Sequence, residues 1–139
     1  MNYQEYKKAY FTDPKRRPHY AFSGSFGINL YFQEYDAAVD YCERVLGMPG
    51  YIEGSGTKGW RIGFGWLTLL GGKSGNPQNV EVTIPLATPE KAERLQQAFI
   101  EAGGTGASPS DELMVDPIRF CPVRDPFGTD LLLISRLPT

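Results

Sequence analysis

Residues Arg119 to Ile134 read RFCPVRDPFGTDLLLI, and this stretch decides the fold. It joins two apolar runs through the tetrapeptide Asp125-Pro126-Phe127-Gly128. Aspartate at the first position of a turn accepts backbone N–H bonds, proline at the second presets φ, and glycine supplies the positive φ that a bulged hairpin needs. The sequence therefore predicts two antiparallel strands that meet at this turn.

An earlier stretch repeats the hairpin pattern. Arg61–Leu70 aligns with Arg124–Leu133 at a shift of 63 residues, with an arginine, a Phe-Gly pair and a Leu-Leu pair in common. Further upstream, Ala38 aligns with Ala92 at a shift of 54. Each half of the chain thus reads as a strand, a helix and three more strands. Such a unit cannot bury both faces of its sheet alone, which favours pairing of two copies within a chain or between chains.

The boundaries of the two predicted modules are 24–71 and 79–135. Within them the first strands alternate, with apolar residues on one face: Phe26, Ile28, Leu30 and Phe32, then Val80, Val82, Ile84 and Leu86. One helix is predicted to end at Leu46-Gly47 and another to start at Thr88-Pro89-Glu90. Short strands are predicted at 51–53, 59–64, 66–70 and 113–118. Pro85 is expected to mark the end of ladder pairing.

The glycine-rich loop between the halves, Gly71 to Pro77, reads GGKSGNP. A phosphate-binding P-loop needs a glycine five residues before the glycine that precedes the lysine, and that position holds Leu67. The pattern therefore predicts a polar connecting loop.

Composition limits the functional classes. The chain has 139 residues, a net charge of −2 and a pI near 5.4, which fits one domain and argues against nucleic acid as the main partner. It has neither a signal-peptide pattern nor an apolar run long enough to span a membrane, so a cytoplasmic location is expected. Cys42 and Cys121 lie in apolar patterns and are predicted to be buried thiols, although the pattern leaves a disulfide open.

Residues 1–22 are predicted to be an extension that precedes a single domain at 23–139. Tyr3, Tyr6 and Tyr10 fall at helical spacing, and residues 13–18 read as an extended linker. The helix is expected to lie on the domain or on a partner subunit. The basic run 15–17 is interpreted as solvated charge in an acidic chain.

Three segments resemble a known superfamily. Residues 28–32 and 38–47 read INLYF and AVDYCERVLG, and residues 123–128 read VRDPFG. Together they resemble the glyoxalase, bleomycin-resistance protein and extradiol dioxygenase superfamily, also called vicinal oxygen chelate (VOC) proteins, over about residues 24–135. The resemblance implies an α+β fold in which two βαβββ modules form a curved, U-shaped mixed sheet around a small-molecule cavity. It places both helices on the convex face, and it implies a cavity that dimerisation frequently completes.

Metal-using members of the superfamily bind the ion with histidine on the first strand of each module and glutamate on the last. The corresponding positions here are Gly27, Leu69 (or Thr68), Glu81 and Leu132. Only Glu81 can coordinate a divalent ion, and one carboxylate cannot supply the three or four ligands that such sites use. No metal cofactor is therefore expected. The lone histidine, His19, lies in the extension and is interpreted as a surface residue.

Three functional interpretations remain open. The first is a domain that binds a small organic molecule without a metal, with Tyr31, Trp60 and Trp66 available to stack on flat ligands. The second is a metal-free lyase, isomerase or epimerase in which Glu81 acts as general base, since an apolar cavity raises the pKa of a carboxyl group. The third is an assembly or regulatory module.

The expected ligand-binding residues follow from alternation along the strands. If the apolar sets face the helices, the opposite sets face the cavity. These are Asn29, Tyr31, Glu81, Thr83 and Asp130, with Leu132 beside them. The competing interpretation is an ordinary solvated sheet face. A homodimer is also predicted, because a U-shaped sheet leaves strand edges and a mouth that the tyrosine-rich arm could cover.

Overall fold

The computed structural model describes residues 1–13, 19, 22 and 24–138. The predicted linker at 13–18 and its basic run lie, apart from Asp13, outside the described residues. Three helices and eight strands follow one another along the described chain: α1 (Tyr3–Tyr10), β1 (Gly27–Phe32), α2 (Tyr35–Leu46), β2 (Tyr51–Ile52), β3 (Thr57–Ile62), β4 (Gly65–Gly71), β5 (Glu81–Pro85), α3 (Pro89–Glu101), β6 (Ser110–Met114), β7 (Asp116–Arg124) and β8 (Asp130–Arg136).

The strands form two four-stranded sheets with the orders β1-β4-β3-β2 and β5-β8-β7-β6. In each sheet the first strand pairs in parallel with the last, and the remaining pairs are antiparallel. This is the βαβββ unit used twice, which confirms the predicted α+β fold. The resemblance implies one continuous sheet, whereas among the described residues hydrogen bonding divides it into one sheet per module.

The register shows where the sequence repeat changes its spacing. Arg61 and Arg124, separated by 63 residues, hold equivalent places, because Arg61 pairs with Trp66 and Arg124 pairs with Asp130. Trp66 and Asp130 are separated by 64 residues. The second hairpin turn is thus one residue longer than the first. Consequently Thr68, and not Leu69, is the equivalent of Leu132.

One apolar core lies on the helix side of both sheets. Leu30 and Phe32 of β1 and Val82 and Ile84 of β5 are buried there together with residues of α2 and α3. Asn29 and Tyr31 point to the other side, as do Glu81 and Thr83, and all four are exposed. The predicted alternation of the first strands is therefore confirmed. Phe26 is an exception, since it precedes β1 and is 78% exposed.

The C-terminal hairpin turn has the predicted geometry. The carboxylate oxygen Oδ1 of Asp125 accepts hydrogen bonds from the backbone N–H groups of Phe127 and Thr129, each at 2.9 Å. Gly128 has a φ of 89°, the conformation that glycine adopts at no steric cost. The turn connects β7 to β8 and so places β8 in the middle of its sheet.

One predicted strand is wrong. Residues 113–118 are not a single strand, because Val115 has a φ of 66° and separates β6 from β7. Only the polar–apolar pattern was visible in the sequence, and it does not reveal a tight turn at a β-branched residue. Pro85 is the last residue of β5, at a sheet edge where a missing N–H is tolerated.

Helix α1 forms where the tyrosine spacing predicts it. Its N-terminus is closed by a capping box between Asn2 and Glu5. It docks on the turn between β6 and β7, where the Tyr3 hydroxyl donates to Asp116 at 3.2 Å and the Val115 N–H donates to the Tyr6 hydroxyl at 2.8 Å. No residue of α1 is buried.

Both cysteines are free thiols. Burial raises the pKa of the Cys42 thiol to about 12, and the nearby charge of Asp125 adds to the effect. A thiol with so high a pKa is a poor nucleophile, so Cys42 acts as a small apolar residue of the helix.

Candidate functional site

A cavity of about 530 Å³ is lined by residues of both modules. The first module contributes mainly apolar and aromatic side chains, among them Phe26, Phe64 and Trp66, and the second contributes the edge strand β5. A pocket of this size, mostly apolar with a few polar groups, is typical of small-molecule sites.

The wall from the first module is held by a close backbone contact. The Trp66 N–H donates to the Phe26 carbonyl at 3.0 Å, which extends the β1–β4 ladder beyond its last pair. A Cβ atom on Gly65 would overlap that same carbonyl oxygen. Glycine at position 65 therefore allows the chain before β1 to approach β4 and form the wall.

Glycines also determine where the Trp66 ring lies. Cβ atoms built on Gly50 and Gly59 would touch the ring at 3.6 and 3.4 Å. Tyr51 packs against the ring edge, with ring centroids 6.4 Å apart, and the Arg61 guanidinium lies 5.3 Å from the ring centroid. Trp66 is thus fixed in one orientation beside the cavity.

Three charged residues lie in a row across the second sheet. Glu81 pairs with Asp130 in the parallel ladder, and Asp130 pairs with Arg124 in the antiparallel one. Arg124 binds Asp130 with two hydrogen bonds, Nε to Oδ1 at 2.8 Å and Nη2 to Oδ2 at 3.2 Å. The guanidinium lowers the pKa of the Asp130 carboxyl below its ordinary value.

Glu81 differs from Asp130 in this respect. Within the described part of the chain the Glu81 carboxylate makes no hydrogen bond and no salt bridge. It lines the 530 Å³ cavity and also a neighbouring cavity of about 330 Å³ that contains Arg124 and Asp130. The free carboxylate therefore lies where the two cavities meet.

Three of the five site residues predicted from the sequence line a cavity, and two do not. Glu81 and Thr83 line the 530 Å³ cavity, and Asp130 lines the 330 Å³ one. Asn29 and Tyr31 lie on the exposed face of β1 and line neither cavity, and Tyr31 is 56% exposed. A shared site for all five stays a prediction.

Leu132 was expected to face the cavity. It does lie in the same row as Thr83 and Pro122, but it is completely buried and lines neither cavity. Its side chain is therefore covered and offers no surface to a ligand in either cavity.

Sequence reasoning missed Phe64 and placed Phe26 on the core face. Phe64 is 89% exposed and lies in the turn between β3 and β4. The available signal was its recurrence in the repeated Phe-Gly pair, which marks a turn and not a core strand. The alternation assigned Phe26 to the core face because this apolar residue continues the pattern of β1. In the structure Phe26 precedes the first pair of the ladder, which is at Gly27.

The donor set does not fit the superfamily's metal centre. With the corrected register its four positions hold Gly27, Thr68, Glu81 and Leu132, and one carboxylate and one hydroxyl are too few ligands. Across the described residues no group of three or more His, Cys, Asp or Glu side chains is arranged to hold an ion.

Comparison with known proteins identifies the fold. No protein-family model and no curated protein matches the sequence. Among solved structures, a glyoxalase/bleomycin resistance protein from Albidiferax ferrireducens T118 is 18% identical with a TM-score of 0.64, over 80% of this chain and 97% of that one. A glyoxalase/bleomycin resistance protein/dioxygenase family enzyme from Burkholderia phytofirmans PsJN is 15% identical with a TM-score of 0.64, over 83% of this chain and 100% of that one.

A glyoxalase/bleomycin resistance protein/dioxygenase from Nocardioides matches over a longer part of this chain. It is 16% identical with a TM-score of 0.62, over 96% of this chain and 92% of that one. These similarities confirm the fold that the sequence resemblance predicts: the chain has the glyoxalase/bleomycin-resistance fold. In the part of the chain that the structure describes, no helix is both long and apolar enough to cross a membrane.

Proposed function

We propose that this protein binds a small organic molecule, without a metal, in the cavity between its two modules. The observation that carries the proposal is the 530 Å³ cavity itself, which both modules build and whose wall is mostly apolar. Its volume lies within the range of about 300–1,000 Å³ of small-molecule sites.

The local construction supports a site rather than a packing gap. Phe26 and Phe64 are 78% and 89% exposed at the cavity, although burying such side chains is favourable. A bound molecule would cover them. Gly65 and the backbone bond of Trp66 to Phe26 keep the wall in place before any ligand arrives, which lowers the entropic cost of binding.

The alternative is an enzyme of the lyase, isomerase or epimerase type with Glu81 as general base. The observation in its favour is that Glu81 carries an unpartnered carboxylate at the cavity. Proton abstraction needs a base within hydrogen-bond reach of the substrate carbon, and Glu81 is the one candidate in the lining among the described residues.

The experiment begins with a thermal-shift screen of a metabolite library. Any molecule that raises the Tm is titrated calorimetrically into the wild type and into Phe64→Ala, Thr83→Val and Tyr31→Ala. Binding in the cavity predicts weakening of at least about fivefold for the first two variants, since a buried aromatic contact or hydrogen bond contributes about 1 kcal/mol. Loss of binding in Tyr31→Ala alone would contradict the proposal and place the site on the open face of β1.

The same molecule then distinguishes binding from catalysis. It is incubated with the protein and followed by NMR for turnover or for exchange of C–H hydrogens with D₂O. The enzyme alternative predicts reaction in the wild type and a loss of about 10²–10⁴-fold in Glu81→Gln. Binding without any reaction or exchange supports the binding function.

We also propose that the protein is a homodimer. Helix α1 supports this, because it buries none of its residues in its own chain, while Tyr10 and Phe11 are 66% and 49% exposed. A second copy is the proposed cover for this aromatic surface. Sedimentation at roughly tens of micromolar, a concentration at which a standard interface forms, should show a dimer. A monomer there would contradict the proposal, and Tyr10→Ser with Phe11→Ser should weaken the dimer. A cytoplasmic location likewise stays a proposal.

A further inference from the structure

We infer that the cavity takes a molecule with an aromatic or apolar body and one cationic nitrogen, which Glu81 binds. This inference rests on the proposed function and specifies its ligand class. It depends on three features of the cavity: the charge of its lining, the lack of a counter-ion for that charge among the described residues, and the nature of its walls.

Glu81 is the one ionisable residue among the described residues that line the cavity. The other polar side chain there is the hydroxyl of Thr83, and the rest of the lining is apolar or glycine. The lining therefore carries a single negative charge.

Among the residues that the structure describes, no cation balances that charge. The nearest charged residue in the ladder is Asp130, which is itself negative, and the guanidinium of Arg124 is already bound to it through two hydrogen bonds. Arg61 is held on the other module by the Gly63 carbonyl at 3.1 Å and by the face of Trp66.

A ligand that fills the cavity removes water from this carboxylate. If the ligand end is anionic, or neutral without a donor, the carboxylate loses its hydration and gains no partner, which is unfavourable. An ammonium or guanidinium end replaces the lost water with a charge-assisted hydrogen bond. The cavity therefore selects against anions and for cations.

The aromatic walls favour the same chemistry. Phe26 and Phe64 present exposed rings that can stack on a flat ligand or attract a cation through their π faces. Trp66 shows this attraction within the protein, since the Arg61 guanidinium lies over its ring, 5.3 Å from the centroid.

The test uses three probes that share an indole body and differ at the end group: tryptamine is cationic, tryptophol is neutral and indole-3-acetate is anionic. Each is titrated calorimetrically into the full-length wild-type protein at low ionic strength. We expect tryptamine to bind about tenfold more tightly than tryptophol, which is the size of a charge-assisted hydrogen bond discounted for partial exposure. Indole-3-acetate should bind most weakly.

Two variants of equal charge identify the group responsible. Glu81→Gln removes the carboxylate in the cavity, and Glu90→Gln removes an exposed carboxylate in the first turn of α3. The tryptamine preference should fall below about threefold in the first variant, because the ion pair is lost, and stay unchanged in the second. Thermal unfolding of both variants checks that they are folded.

The other outcomes separate this inference from the proposed function. Equal binding of the three probes to the wild type, weakened by Phe64→Ala, would overturn the cationic ligand class and leave the binding function intact. A preference lost equally in both glutamine variants would mean nonspecific attraction to an acidic protein and would overturn the role of Glu81. If none of the probes binds, while another molecule from the screen binds and is weakened by Phe64→Ala, the cationic ligand class is overturned and the binding function stands; if no molecule binds at all, both are overturned.

Discussion

The two βαβββ modules share one topology but differ on the sheet face that points away from the helices. On the edge strands that face is exposed in both modules, at Asn29 and Tyr31 in the first and at Glu81 and Thr83 in the second, so the difference lies at the centre of the sheet. In the second module the centre of the same face is Leu132, which is completely buried, and its equivalent in the first module is Thr68. A repeated topology thus fixes which residues share a face, while the side chains decide whether that face is packed or available for binding.

The supports of the two modules differ as well. The Asp125 carboxylate stabilises the turn of the second hairpin by accepting two backbone hydrogen bonds. Ile62 holds the equivalent place in the first hairpin, and its side chain has no acceptor. The helix of the second module, α3, is capped by the side chain of Thr88. Glu34, at the equivalent place before α2, makes no capping bond with its side chain. The second module therefore has more side-chain hydrogen bonds that stabilise its hairpin turn and its helix start. The first module supplies most of the cavity wall.

The largest expected effect comes from Leu132→Ala. We expect a loss of about 2–5 kcal/mol in the free energy of unfolding, because the substitution leaves a void beneath a fully buried side chain. Tyr31→Ala, on the same face of the other module, should cost less than about 1 kcal/mol because the ring is 56% exposed. Urea unfolding followed by circular dichroism measures both. Similar losses for the two variants would remove the contrast between the modules.

Gly65→Ala should disturb the cavity wall of the first module. Its new methyl group would overlap the Phe26 carbonyl, and we expect a loss of about 1–3 kcal/mol and weaker ligand binding. Gly71→Ala is the matched control in the same strand, because a Cβ there meets nothing within 4 Å. Calorimetric unfolding of both variants tests the expectation. An unchanged Tm for Gly65→Ala would show that the backbone at Phe26 can move to accommodate the methyl group at little cost.

Asp125→Ala should cost about 1–2 kcal/mol, since two backbone N–H groups lose their acceptor. Asp125→Asn keeps an acceptor oxygen at the same place and should retain most of the stability at neutral pH. Denaturant unfolding of the two variants compares them. An equal loss in both would show that the acceptor oxygen at this position is not what stabilises the turn.

The pH dependence of Asp125 has a definite sign. Burial raises the pKa of its carboxyl above the ordinary value, and the bonds from Thr129 and Phe127 only partly oppose this effect. The protonated form therefore favours the folded state, and the contribution of Asp125 to stability falls as pH rises from the ordinary pKa through the raised one. The free-energy difference between wild type and Asp125→Asn, measured across that range, should shift in favour of the asparagine variant as pH increases.

The smallest effect concerns the helix caps. Thr88→Ala should lower the free energy of unfolding by about 1 kcal/mol, because the Lys91 N–H loses its bond to the threonine hydroxyl. Glu34→Ala, at the equivalent place before α2, should cost no more than about half of that, since no cap is lost and only an exposed hydrogen bond from the Asn76 side chain is removed. Thermal unfolding measures both losses. A larger loss for Glu34→Ala than for Thr88→Ala would contradict the expectation that the second module has the stronger helix cap.

Much of the fold could be predicted because its signals are local. The Asp-Pro-X-Gly turn, the alternation of β1 and β5 and the Thr88 cap each depend on neighbouring residues, and each is found in the structure. The break at Val115 was missed because a β-branched residue is not an expected place for a positive φ, and because one of its contacts is not local. The Val115 N–H binds the Tyr6 hydroxyl, which comes from 109 residues away.

The sequence alone determined the two-module topology and which side of β1, β5 and β8 faces the core, since both depend on turn chemistry and on a period of two. Only the tertiary structure decided which residues meet at the cavity. Phe64 in a turn, Phe26 ahead of a strand and Glu81 on an edge strand have no common pattern, and they line one cavity because the two modules lie side by side. The physical reason is that periodicity specifies a face of one strand, whereas a cavity forms where separate elements fail to touch.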